Sequence, residues 1–108
     1  MLKQAAGTIV NIASRAGIDR PAGAAAYAAS KAAALALIDS LAAELAGTGV
    51  RVNSVLPSII DTDANRRAMP EADFTRWPKP EDIARVILFL CSAEAKVVHG
   101  ASVPVYGN

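Results

Sequence analysis

Short apolar runs separated by polar, glycine- and proline-containing segments give the chain an alternating pattern. Three runs, residues 8–13, 51–56 and 101–106, are almost continuously apolar and are bounded by turn residues. Runs of this length are typical of strands in a parallel sheet whose two faces are both covered. The pattern therefore predicts three short parallel strands.

Two longer segments predict helices. The first extends from about residue 25 to residue 46 without internal glycine or proline, and Gly47 follows it as a candidate left-handed cap. Tyr27 and Lys31 are four residues apart at its start, so a helix stacks them on one face. The same side carries the larger apolar positions, which are Leu35, Ile38, Leu41, Ala42 and Leu45.

The opposite side of this first helix is nearly all alanine, interrupted by Ser40. A smooth alanine face is either plain surface built from a strong helix former or a seat for a second helix at close range. The residues alone leave both interpretations open. The alanines concerned are Ala29, Ala32, Ala33, Ala36 and Ala43.

The second predicted helix starts at Pro80, with proline at its first position and acids in its first turn. Its apolar residues lie nearly all round the axis, which predicts a buried helix in which Cys91 serves packing. A turn at His99 and Gly100 is expected before the third strand.

The remaining segments, residues 18–24 and 63–79, are expected to be loops. The second of them is polar with a few large apolar side chains as anchors. The order strand, helix, strand, loop, helix, strand predicts an α/β fold with a parallel sheet of about three strands and two main helices. Right-handed crossovers alone would place both helices on one face of the sheet.

Composition narrows the class of protein. A chain of 108 residues forms one small domain at most, and a net charge of +1 gives no footprint for nucleic acid or an anionic membrane. No apolar run is expected to reach the ~20 residues of a membrane span. Because Cys91 is the single cysteine and no signal peptide is visible, a cytoplasmic protein without a disulfide is expected. His99 is the only histidine, so no metal cluster is predicted.

Three polar residues carry the candidate chemistry. Twelve residues separate Ser14 from Tyr27, and three separate Tyr27 from Lys31. Taken singly, Ser14 would be a hydroxyl that satisfies a turn, and the other two would begin an amphipathic helix. Together they resemble the active site of the short-chain dehydrogenase/reductase family. The flanking stretches Gly7-Thr-Ile-Val-Asn-Ile-Ala-Ser14 and Arg51-Val-Asn-Ser-Val-Leu-Pro57 resemble the same family.

A serine, tyrosine and lysine in this order suit hydride exchange between a nicotinamide and a carbonyl or alcohol, which needs a proton donor at the substrate oxygen. A free tyrosine has a pKa of ~10, and ionising one near neutrality takes roughly 4 kcal/mol of differential stabilisation. A lysine cation at ~4 Å supplies about that much at an effective dielectric constant of ~20. This requirement explains why the lysine shares a helix face with the tyrosine.

The resemblance assigns further roles. It implies a Rossmann-type three-layer fold with the main helices on opposite faces, NAD or NADP as cofactor, and a small carbonyl or alcohol as substrate. Ser14 would hold the substrate oxygen, and Tyr27 would transfer the proton. Lys31 would also bind the nicotinamide ribose.

The strand-end turn, residues 57–62, would wrap the nicotinamide ring through Pro57, Ile60 and the Thr62 hydroxyl. At the position of Ser58 the family usually has glycine. Residues 63–79 would form the substrate lid. The first helix is one through which the family often dimerises, so a homo-oligomer is expected.

The resemblance covers nearly all of residues 1–108 but only about the second half of the family's domain, so we expect a truncated domain. The glycine-rich turn that seats the pyrophosphate follows a strand in the family, whereas Gly47 and Gly49 here follow a helix. Asn11 and Asn53 lie inside predicted strands and do not match the family's active-site asparagine.

Three interpretations follow. The chain is a catalytic half that is impaired on its own, a non-catalytic remnant that serves as an oligomerising module, or a fragment of a longer protein. We expect that the isolated chain binds NAD or NADP poorly and does not turn over a ketone.

Overall fold

A parallel sheet of three strands organises the fold in the computed structural model, which describes all 108 residues. Strand β1 is Gly7–Ile12, β2 is Val50–Pro57 and β3 is Ser102–Val105, and they lie side by side in that order. Both neighbouring pairs are parallel, with Gly7 opposite Val50. The predicted α/β class and its three strands are confirmed, with each strand end displaced by one residue.

Four α-helices accompany the sheet: α1 (Ala16–Asp19), α2 (Ala25–Glu44), α3 (Asp63–Ala68) and α4 (Pro80–Cys91). Helices α2 and α4 are the two predicted main helices. Gly47 has the expected left-handed backbone, with φ of 78°, but it lies beyond the helix, which ends at Glu44. Single 3-10 turns are found at Leu2–Gln4, Phe74–Arg76 and Ala93–Ala95.

Helix α3 lies inside the predicted loop 63–79, and the last two residues of α1 fall in the predicted loop 18–24, so the loop prediction is wrong at these positions. The α3 helix has an N-cap, since the Thr62 side chain accepts a hydrogen bond from the backbone N–H of Asn65 at 3.2 Å. Threonine before an acidic first turn is a helix-start signal that the sequence carries. Helix α1 is one turn long, and Arg20 ends it with a left-handed backbone (φ 50°).

Helices α2 and α4 cover opposite faces of the sheet. Leu56 of β2 packs in one cluster with Leu35 of α2. Arg51, also on β2, donates hydrogen bonds to the carbonyls of Leu90 and Ser92 at the end of α4. Successive strand residues point to opposite faces, so positions 51 and 56 face different sides. One of the two crossovers therefore departs from the usual right-handed sense.

The long helix α2 is buried along one line only. Ala28, Leu35 and Ala42, which are seven residues apart, are its buried residues. The other large members of the predicted apolar stripe are half-buried, and nothing in the chain covers most of the alanine face. Leu37 is 68% exposed.

Helix α4 is not buried all round, so that prediction is wrong. Ile83 and Leu90 are its buried residues, whereas Leu88 is 71% and Phe89 is 49% exposed. Cys91 is also exposed rather than packed. The physical reason is that α4 contacts the sheet with one side and no element of the chain lies over its outer side.

The chain is consequently more open than is usual for its length. Only 17 of 108 residues are buried. The radius of gyration is 15.3 Å, whereas a domain of ~100 residues typically has a value of about 13 Å. Much apolar surface on α2 and α4 is therefore available to a partner.

Helix α2 is also long and apolar enough, by length and composition, to cross a membrane. The expectation that no segment reaches that limit is wrong, because alanine contributes to apolarity throughout the helix. In this fold, however, α2 connects β1 to β2, which pair in parallel, and it packs on one face of the sheet. This arrangement holds both of its ends beside the same sheet.

Buried polar side chains tie β2 to the segments around it. Asn53 donates to the carbonyl of Val98 at 3.0 Å and accepts from the N–H of Ala101 at 2.9 Å. Asn11 donates to the Ser54 hydroxyl at 3.2 Å. Both asparagines therefore have hydrogen-bond partners within the fold.

Candidate active site

Ser14 lies two residues beyond β1, at the carboxyl end of the sheet. Its side chain is nearly buried, and the residue is 8% exposed. Its oxygen accepts a hydrogen bond from the backbone N–H of Ala16 at 3.2 Å. The hydroxyl proton has no acceptor within the chain, so it is available to donate to a ligand.

Tyr27 is the third residue of α2, and Lys31 follows one turn later. The Lys31 ammonium lies 5.8 Å from the centroid of the Tyr27 ring. Lys31 forms no ion pair with a carboxylate. Tyr27 is 53% exposed, and its hydroxyl has no hydrogen-bond partner within the chain.

The structure brings Ser14 and Tyr27 to one cleft of about 380 Å³, which Pro57 also lines. Lys31 lies against the tyrosine ring and does not line that cleft. No hydrogen bond joins the three side chains directly. The arrangement supplies a hydroxyl donor and a phenol that face the same space, with a free cation behind the phenol.

The strand-end turn is held by Asn65, which sequence reasoning missed. The carbonyl of Ile60 accepts from the Asn65 side chain at 2.8 Å, and the Thr62 oxygen accepts from the Asn65 backbone. Pro57 is buried, and its carbonyl accepts from the N–H of Arg15 at 2.9 Å. The capping threonine predicts the bond from the Asn65 backbone, and nothing in the local sequence indicates the bond from the Asn65 side chain.

Ser58 replaces the glycine usual in the family without backbone strain, because its φ is negative. Its hydroxyl donates to the carbonyl of Tyr106 at 2.8 Å, which ties the turn to the end of β3. The hydroxyl is therefore engaged inside the protein.

An ion pair joins the strand-end turn to helix α3. Arg66 donates to both oxygens of Asp61, at 2.6 Å and 2.9 Å, and its guanidinium carbon lies 4.7 Å from the centroid of the Phe74 ring. The hydrogen bond from Arg66 holds the pKa of the Asp61 carboxyl below its ordinary value and raises the pKa of Arg66. This pair connects the strand-end turn with the predicted lid segment.

His99 has a structural role. Its Nδ1 accepts from the N–H of Val52 at 3.2 Å, and its Nε2 lies 2.7 Å from the carbonyl of Ala42, which assigns the proton to Nε2. The imidazole therefore joins α2 to β2. No group of three or more His, Cys, Asp or Glu side chains is placed to hold a metal ion.

Comparisons with known proteins agree with this architecture. The family model described as enoyl-(acyl carrier protein) reductase matches residues 1–107. The chain is 40% identical to 3-oxoacyl-[acyl-carrier-protein] reductase FabG of Thermotoga maritima, over 100% of this chain and 47% of that protein. It is 40% identical to galactitol 2-dehydrogenase of Rhizobium johnstonii, over 97% of this chain and 46% of that protein.

A solved structure is similar over the same extent. It is that of a putative NAD(P)-dependent gluconate 5-dehydrogenase from Beutenbergia cavernae with bound NADP, which has a TM-score of 0.89 and 38% identity. The similarity covers 99% of this chain and 47% of that one. The chain thus spans about half the length of the relatives that it matches.

Proposed function

Because the chain belongs to the short-chain dehydrogenase/reductase family, we propose that it is the catalytic part of an oxidoreductase that uses NAD or NADP. The substrate class is a small carbonyl or alcohol, as the names of the relatives suggest. One observation carries the proposal: Ser14 and Tyr27 line the same cleft at the carboxyl end of the sheet, with the Lys31 ammonium against the Tyr27 ring.

Each of these side chains has a role that follows from its contacts. The Ser14 hydroxyl proton is free to hold a substrate oxygen, and the Tyr27 hydroxyl is free to give a proton to that oxygen or to take one from it. The Lys31 cation lies against the Tyr27 ring and would stabilise negative charge that develops there during proton transfer. Since Tyr27 is 53% exposed, water weakens this effect, and the pair works best when the cleft is covered.

The residues present fit the nicotinamide end of the cofactor. Lys31 has no carboxylate partner, and the Thr62 oxygen accepts a hydrogen bond while its proton remains free to donate. With Pro57 and Ile60 in the strand-end turn, these two side chains would hold the nicotinamide ribose and carboxamide. The bound nicotinamide would supply or take up the hydride.

The chain offers no comparable binding site for the pyrophosphate of the cofactor. A glycine-rich turn between a strand and a helix usually supplies the backbone N–H groups for it. Gly47 and Gly49 lie between the end of α2 and the start of β2, at the amino ends of the strands and opposite to Ser14. We therefore expect the chain to bind the nicotinamide half of the cofactor and not the adenosine half.

Titration with half-cofactors tests this division. We expect nicotinamide mononucleotide to shift the backbone NMR resonances of Tyr27, Lys31 and Thr62, and adenosine monophosphate to leave them unchanged. Lys31→Gln should weaken the binding. Lys96→Gln, which changes an exposed lysine directly after the 3-10 turn Ala93–Ala95, should not. Equal responses to both nucleotides, or no effect of Lys31→Gln, would contradict the proposal.

A second candidate is a non-catalytic member of the family that acts as an oligomerising module. The exposed Leu88 and Phe89 favour it, because they offer an apolar patch to a second protein. Binding of nicotinamide mononucleotide separates the two candidates, because only the first requires a cofactor site. A homo-oligomer and a cytoplasmic location belong to both proposals, and an exposed free Cys91 suits a reducing compartment.

A further inference from the structure

Arg15 occupies a junction at the carboxyl ends of all three strands. It directly follows Ser14 beyond β1, and its backbone N–H donates to the carbonyl of Pro57 at the end of β2, at 2.9 Å. Its guanidinium carbon lies 4.7 Å from the centroid of the ring of Tyr106, which follows β3. Ligands of open parallel sheets bind in the crevice outside the carboxyl ends of the strands. Arg15 is therefore held from two sides at the place where a ligand is expected.

One edge of the Arg15 guanidinium is satisfied and the other is free. Its Nε donates to Asp19 at 2.6 Å, and its two Nη groups have no partner within the chain. In Arg51, by contrast, both Nη groups are engaged by carbonyl and hydroxyl oxygens. A planar pair of free Nη donors matches the two oxygens of a carboxylate. The side chain is 50% exposed, so a ligand reaches it.

Arg15, which carries the two free Nη groups, lies close to the candidate proton-transfer residues. Arg15 lines the cleft that contains Ser14 and Tyr27, and it also lines a neighbouring cleft of about 470 Å³ together with Arg76. The one acidic side chain of that second cleft, Asp73, is engaged by Thr75. A molecule that spans the two clefts meets proton-transfer groups at one end and guanidinium groups at the other.

We propose that Arg15 is a specificity-determining residue that binds the carboxylate of a small hydroxy or oxo acid. The hydroxyl or carbonyl of the same molecule would then reach Ser14 and Tyr27. The assignment of that reacting end rests on the proposed function. Binding of the carboxylate by Arg15 does not depend on it.

The test compares ribonate with ribitol, which differ only at carbon 1, a carboxylate in one and a hydroxymethyl group in the other. NMR titration of the chain should show tighter binding of ribonate. Arg15→Gln should weaken ribonate binding about tenfold or more, as for the loss of charge-assisted hydrogen bonds. Ribitol binding should stay within about twofold of its original value, since a neutral chain end gains little from the guanidinium. Arg85→Gln, an exposed arginine on α4, is the matched control and should change neither.

Two further variants make the result decisive. Because Arg15→Gln leaves the Asp19 carboxylate unpaired, and its negative charge could itself repel ribonate, the comparison is repeated in the Asp19→Asn background. Arg15→Lys keeps the positive charge but lacks the planar pair of Nη donors. The ratio of ribonate to ribitol affinity should still fall about threefold or more. Arg15→Lys decides the matter if Arg15→Gln does not fold, which thermal unfolding detects.

Equal losses for ribonate and ribitol, or no loss for either, would overturn the inference. A ribonate preference that depends on Arg15, in a chain that fails the nicotinamide mononucleotide test, would contradict the proposed function alone. Binding of nicotinamide mononucleotide without a ribonate preference would contradict the Arg15 inference alone.

Discussion

The Lys31 ammonium lies 5.8 Å from the centroid of the Tyr27 ring, one turn further along α2. The four-residue spacing accounts for this, because such residues stack on one helix face. Ser14 reaches the same region from a different element, the end of β1, and lines the cleft with Tyr27. The pair on α2 is thus preassembled by local structure, whereas its exposure to water leaves its electrostatic coupling weak.

The chain alone should not reduce a ketone with NADH or NADPH at a useful rate. Positioning of two reactants is worth ~7–11 kcal/mol in favourable cases, and the residues present would contact only the nicotinamide end of the cofactor. Absorbance at the reduced-nicotinamide band and calorimetry measure turnover and binding. Micromolar dinucleotide binding, together with turnover that Tyr27→Phe abolishes, would contradict this prediction.

Removal of the Thr62 cap should destabilise α3. Thr62→Val deletes the oxygen that accepts from the Asn65 N–H, at a cost of about 0.5–2 kcal/mol. Thr62→Ser keeps the oxygen and should remain close to the parent chain. Urea unfolding followed by circular dichroism measures both variants, and equal stabilities would show that the cap contributes nothing.

Arg51 should be essential to the junction between β2 and the end of α4. Its guanidinium donates to carbonyls of Leu90, Ser92 and Ala95 at 2.8–3.1 Å. Arg51→Met leaves those carbonyls without a donor, so a loss of about 2–4 kcal/mol in the free energy of unfolding is expected.

The control for Arg51 is Arg85→Met, which removes an exposed arginine paired with Asp82 on α4. Exposed pairs contribute roughly 0–1 kcal/mol, so this variant should unfold at almost the same urea concentration as the parent. A similar cost for both substitutions would refute the structural role assigned to Arg51.

The chain should associate with itself. Strand β1 is an edge of the sheet with unpaired backbone groups on its outer side, and Leu88 and Phe89 are exposed on α4. Multi-angle light scattering should detect dimers or larger species, and Leu88→Ser with Phe89→Ser should reduce them. Arg85→Ser, on the same helix, is the matched control. A monomer at every concentration would rule out this prediction.

The sequence predicted those features that depend on local spacing. The Tyr27–Lys31 pair and the strand that ends near Ser14 follow from periodicity within one or two elements. Exposure of Leu88 could not be predicted, because it depends on which elements pack over α4. The role of Arg51 was equally hidden, since its partners lie 39 or more residues away in the chain. The stacking of Arg15 on Tyr106 joins residues from opposite ends of the chain for the same reason.

The central claim, that Tyr27 is the proton-transfer residue of an oxidoreductase site, is tested most directly in a chimaera. In it, this chain replaces the corresponding part of the Thermotoga maritima reductase, to which it is 40% identical. The predicted result is ketone reduction that Tyr27→Phe lowers about 100-fold or more. Ser40→Ala, which removes an exposed hydroxyl from the same helix, should leave turnover unchanged. Full activity of the Tyr27→Phe chimaera would contradict the claim.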